Sequence, residues 1–136
     1  MHILIIEDEP MLLNALTQEF ERRTCRVSSA TDGQDAVSIL RRESSFSIIL
    51  LDLILPHLNG FEVLKVIMDS PQLRRIPVVV LTNLSDETTI SSIIAAGVTD
   101  YLVKADYTLK EIVDKVFEII KRPALPQPGT HHTHAA

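Results

Sequence analysis

His2-Ile3-Leu4-Ile5-Ile6-Glu7-Asp8-Glu9 is an unbroken apolar run that stops at three acids. A strand with one wet face alternates apolar and polar residues, whereas a run without polar positions is buried on both faces. Two further runs behave alike: Ser47 to Leu51 stops at Asp52, and Pro77 to Leu81 stops at Thr82. Arg26 to Ser29 and Asp100 to Val103 complete five strand candidates, the last followed by Lys104. Helical patterns fill the gaps between them, so the chain is predicted to be an α/β protein with a parallel sheet covered by helices. Right-handed crossovers leave few arrangements, of which the strand order 2-1-3-4-5 is expected.

The clearest helical stripe is the last, where Leu109, Ile112, Val113, Val116, Phe117 and Ile120 recur at the spacing of one helix face. Leu12, Leu16 and Phe20 mark the first helix; Ala36, Val37 and Leu40 the second; Phe61, Leu64 and Ile67 the third; Ile90, Ile93 and Ile94 the fourth. Asp32 and Ser85 are expected to act as N-caps, and Gly97 stands where a left-handed C-terminal cap is wanted. Ile119 falls off the predicted stripe and is expected to be exposed, a candidate partner contact. Residues 122–136, rich in proline and histidine with no apolar residues left to pack, read as a disordered tail after a domain spanning residues 1–121.

A length of 136 residues fits one domain with a self-sufficient core. A single cysteine, Cys25, excludes an intramolecular disulfide and fits a reducing compartment. With no secretory leader or bilayer-length apolar run, a cytoplasmic protein without membrane contact is expected. Net charge is −5, and the Lys and Arg residues read as scattered, which argues against nucleic acid as a direct partner.

In an open parallel sheet, ligands bind beyond the carboxyl ends of the strands where strand order reverses. That rim carries Glu7, Asp8, Asp52, Thr82 and Lys104. Two carboxylates about 4 Å apart repel by about 4 kcal/mol at an effective dielectric of 20. Crowded acids therefore call for a cation, and without one the pKa of at least one of them should be raised. Oxygen ligands together with room for water favour Mg²⁺.

The strings Ile5-Ile6-Glu7-Asp8-Glu9-Pro10, Leu51-Asp52-Leu53-Ile54-Leu55-Pro56-His57-Leu58-Asn59-Gly60 and Pro77-Val78-Val79-Val80-Leu81-Thr82, with Ala95-Ala96-Gly97 and Asp100-Tyr101-Leu102-Val103-Lys104, resemble the receiver domains of two-component response regulators. The resemblance implies a flavodoxin-like (βα)5 fold over residues 2 to about 121 and a phosphoacceptor switch rather than an enzyme. It implies Asp52 as acceptor, Mg²⁺ held by Asp8, Asp52 and the Ile54 backbone carbonyl, and Glu7 acting through water. Thr82 and Lys104 would contact phosphoryl oxygens, and Thr82 would couple to Tyr101 in a switch read out by the fourth helix, fifth strand and fifth helix. Implied partners are a sensor histidine kinase or phosphotransfer protein and a downstream effector protein, with the chain a monomer or a phosphorylation-dependent dimer.

Three departures from that pattern stand out. Ala105 replaces the usual cis proline, and a cis bond there would cost about 3 kcal/mol. Asn83 replaces a very small residue. The rim positions Ile54 and Leu84 are both apolar, which implies slow self-dephosphorylation because a dry rim neither orders nor activates water. The competing readings are an aspartate-nucleophile phosphatase, which lacks its second acid because Leu53 and Ile54 follow Asp52, a degenerate receiver used only for binding, and a receiver cut from a longer transcriptional regulator.

Overall fold

Alternate residues of the apolar runs serve two different cores. Ile3 and Ile5 pack with Ile48, Leu50, Val79, Leu81 and Leu102 on one face of the sheet, whereas Leu4, Ile6, Ile49, Leu51, Val78 and Val80 face the other way. This double burial is why the strands read without polar interruption. The computed structural model describes residues 1–98 and 100–123. All but the first two residues of the expected tail lie outside that range.

The strands are β1 (His2–Ile6), β2 (Arg26–Ala30), β3 (Ile48–Leu51), β4 (Val78–Thr82) and β5 (Asp100–Val103). They form one parallel sheet in the order β2-β1-β3-β4-β5, as expected. The helices are α1 (Pro10–Arg22), α2 (Gly33–Arg42), α3 (Gly60–Asp69), α4 (Glu87–Ala95) and α5 (Leu109–Ile120). The first core takes Leu13, Leu16 and Phe20 from α1 and Ile112, Val113 and Val116 from α5, so these two helices cover one face. Residues of α2, α3 and α4 cover the other. Among the described residues no helix is long and apolar enough to cross a membrane. Cys25 is buried as a free thiol, and burial pushes its pKa up.

Two local expectations are corrected. Ile119 is buried, at 6% exposure, in the core beneath α5. It follows Val116 by three residues and Ile112 by seven, which keeps it on an apolar face wider than a single seam. The N-cap of α4 is Asp86 rather than Ser85: its carboxylate accepts from the Thr89 backbone N–H at 3.0 Å. Asp32 caps α2 as expected, and Gly97 has a φ of +94°. Of the three isoleucines marking α4, only Ile93 is buried; Ile94 is 66% exposed. Capping boxes at Asn59–Glu62 and Thr108–Glu111 start α3 and α5.

Gly60 opens α3 directly against the segment that leaves β3. Its N–H donates to the Leu53 carbonyl at 2.9 Å, and a Cβ on it would lie 2.4 Å from the Asp52 carbonyl oxygen. That neighbour is backbone and cannot swing aside. We expect Gly60→Ala to lower stability by about 1–3 kcal/mol through overpacking. Urea unfolding measures this, and an unchanged midpoint would contradict the close approach.

Candidate functional site

The carboxyl ends of β1, β3, β4 and β5 meet at one rim. Ladder bonds continue beyond the strand ends: Glu7 N–H donates to Ala30 O and Asp52 N–H to Ile6 O, each at 3.0 Å. These bonds hold the first residue after each strand in register, so Glu7 and Asp52 face the same space. Carboxylate oxygens of Glu7, Asp8 and Asp52 lie within 4.8 Å of one another, with Glu7 and Asp52 buried and Asp8 exposed.

Lys104, just past β5, reaches across the sheet into this cluster. Its Nζ lies 2.7 Å from Glu7 Oε1, 2.8 Å from Asp52 Oδ2 and 3.6 Å from Glu9 Oε1. Asp52 Oδ1 accepts from the Ile54 N–H at 3.2 Å, and Glu7 Oε2 from the Glu9 N–H at 3.0 Å. The contact that Ile54 makes with Asp52 is thus through its N–H, while its side chain is exposed. The trans peptide between Lys104 and Ala105 leaves this reach intact.

Burial raises the Glu7 pKa, and the Asp52 charge adds to the rise; hydrogen bonds from Lys104 and the Glu9 N–H oppose it without cancelling it. For Lys104, burial alone would lower the pKa, but hydrogen bonds to Asp52 and Glu7 outweigh it and the net shift is upward. The ammonium therefore stays charged. Three carboxylates facing one ammonium leave excess negative charge, and every donor is a hard oxygen, a set that fits Mg²⁺.

Thr82 is fully buried at the end of β4, and its hydroxyl oxygen accepts from the Leu84 N–H at 3.4 Å. The Tyr101 hydroxyl donates to the Leu84 carbonyl at 2.7 Å. Leu84, expected to matter only as a rim side chain, is thus the backbone link between Thr82 and Tyr101. Asn83 accepts from the Ala105 N–H at 3.0 Å, tying the two loops beside Lys104 together. Neither link has a signal in the sequence, because each depends on loop paths that residue type does not specify.

Residues 3–117 match the family described as response regulator receiver domain. A transcriptional regulatory protein of Staphylococcus aureus, SrrA, is 32% identical over 120 residues, which are 88% of this chain and 48% of that protein. The chain spans about half the length of the curated relatives it matches. Among solved structures, the non-phosphorylated receiver domain of HemR from Leptospira biflexa is similar, with a TM-score of 0.80 at 26% identity, covering 93% of this chain and 98% of that one. So is the receiver domain of a sensor histidine kinase from Pseudomonas aeruginosa, solved with magnesium in its active-site cleft, with a TM-score of 0.78 at 27% identity, covering 89% of this chain and 98% of that one. With its strand order, its acid-lined rim and a family match over most of its length, the chain belongs to the receiver domains of two-component response regulators.

Proposed function

We propose that this receiver takes a phosphoryl group from a phosphohistidine onto Asp52 and signals by a change of shape. The observation that carries the reading is the convergence of Lys104 on Asp52 and Glu7, with Asp8 alongside. Asp8, Asp52 and the Ile54 carbonyl would hold Mg²⁺, with Glu7 acting through water; the bound ion supplies charge neutralisation at the phosphoryl oxygens. An Asp52 carboxylate oxygen forms the new bond to phosphorus as the phosphorus–nitrogen bond of the donor breaks, and the electron pair leaves with the imidazole. Lys104 then exchanges part of its hold on Asp52 for a phosphoryl oxygen, which is electrostatic stabilisation with little covalent work.

Thr82 supplies the switch. Turning its hydroxyl toward the phosphoryl group breaks its bond with the Leu84 N–H, which loosens the backbone whose carbonyl holds Tyr101. The ring can then move, biasing the α4–β5–α5 surface between two states. Partners in this reading are a histidine kinase or phosphotransfer protein and an effector protein, in the cytoplasm, with a monomer that can dimerise on phosphorylation. The length of the curated relatives supports a second reading, in which the receiver controls an attached output domain.

Incubation with Mg²⁺ and acetyl phosphate, followed by intact-mass measurement, should add one phosphoryl group to the wild type and none to Asp52→Asn. Equal labelling of both would overturn Asp52 as acceptor. With Ile54 and Leu84 offering no polar side-chain group to order or activate an attacking water, the label should decay slowly once the donor is removed, and loss within seconds would contradict this reading.

Glu7 gives a pH dependence. Its pKa in the folded protein lies above its ordinary value of 4.5, so the folded state holds that proton more tightly than the unfolded chain. Its contribution to stability therefore falls as pH rises from 4.5 through the folded value. In EDTA, the urea midpoint of wild type minus that of Glu7→Gln should drop as pH rises above 4.5, and a constant difference would contradict the raised pKa.

A further inference from the structure

The opposite end of the sheet has the reverse electrostatics. Arg41 and Arg42 end α2, and Arg74 and Arg75 lie in a 3-10 turn (Leu73–Arg75) before β4. All four are exposed, and among the described residues none forms an ion pair, which is also true of the isolated Arg26, Lys65 and Lys121, whereas Arg22, Arg23, Lys104, Lys110, Lys115 and Arg122 all do. In a chain of net charge −5, this concentration does not follow from composition.

A hollow of about 380 Å³ lies between these segments, walled by Arg41 and Arg42 on α2 and by Ser70 and Gln72 on the α3–β4 connection, with Leu40 and Leu73 as apolar lining. The one acid in its wall, Glu43, is already engaged, 3.1 Å from His2 Nδ1 and accepting from Ser45 Oγ at 3.0 Å. A second hollow of about 470 Å³ is also lined by Arg41 and Arg42, so both arginines border two cavities.

Guanidinium forks match phosphate oxygens in pairs, and the neighbouring hydroxyl and amide groups add donors. Apolar lining suits an organic moiety, and the volume falls within the range of about 300–1,000 Å³ usual for small-molecule sites. We infer that this hollow binds a small phosphorylated organic anion of mononucleotide size, away from the acidic rim. The inference does not depend on the role proposed for Asp52.

The test is calorimetric titration of the full chain at low salt with EDTA present, so that no metal–phosphate complex at the acidic rim contributes. The probes are adenosine diphosphate, inorganic pyrophosphate and adenosine. Adenosine diphosphate should bind with a Kd of about 1 mM or tighter, pyrophosphate more weakly, and adenosine not at all. The double substitution Arg41→Ser and Arg42→Ser should weaken adenosine diphosphate about tenfold or more. Arg22→Ser with Arg122→Ser removes the same charge elsewhere and should change it little. Circular dichroism establishes that both variants are folded, and Arg41→Lys with Arg42→Lys, which keeps the charge but not the fork, should weaken binding by a smaller factor. Absence of binding, equal loss in both serine pairs, or pyrophosphate binding as tightly as the nucleotide would overturn the inference.

Discussion

The ammonium of Lys104 lies between the carboxylates of Glu7 and Asp52, at 2.7 and 2.8 Å, in a largely buried site. Breaking a buried pair by removing one partner costs about 3–5 kcal/mol, because the remaining charge is left uncompensated. The rim is therefore tolerable only as an ensemble of charges, and each member depends on a different strand end. A shift of β1, β3 or β5 by one residue would turn one of the three to the opposite face of the sheet. Parallel register and site chemistry are thus the same constraint seen at two scales.

Around that constraint the loops are tied by backbone rather than by further charge. Gly60 lets α3 approach Asp52 closely, Leu84 joins Thr82 to Tyr101, and Asn83 holds the amide after Lys104. These ties differ in strength. The 3.4 Å bond from the Leu84 N–H to Thr82 is long, whereas the 2.7 Å bond from Tyr101 to Leu84 is short. In the proposed switch, rearrangement begins at the weaker tie, the one made by Thr82.

Most of the fold was legible because unbroken apolar runs admit only burial on both faces, and each run ends in a residue with a distinct chemistry. The sequence alone therefore places Glu7, Asp8, Asp52, Thr82 and Lys104 at one rim. What could not be read depends on how helices and loops turn. Ile119 was misplaced by treating the α5 stripe as too narrow, and the α4 cap shifted from Ser85 to its neighbour Asp86, whose carboxylate makes the capping bonds. The basic pole was invisible for a different reason. Arg41 and Arg42 lie far along the chain from Ser70, Gln72 and Leu73, so these residues come to wall one hollow only once α2 packs beside α3.

Whether separate strand ends build one cation site against Lys104 is decided by a Mg²⁺ titration followed through the backbone amide resonances. Saturable shifts should concentrate at residues 7–9, 52–54 and 104 and be lost in Asp8→Asn. Shifts spread over the surface acids, or unchanged in that variant, would contradict such a site.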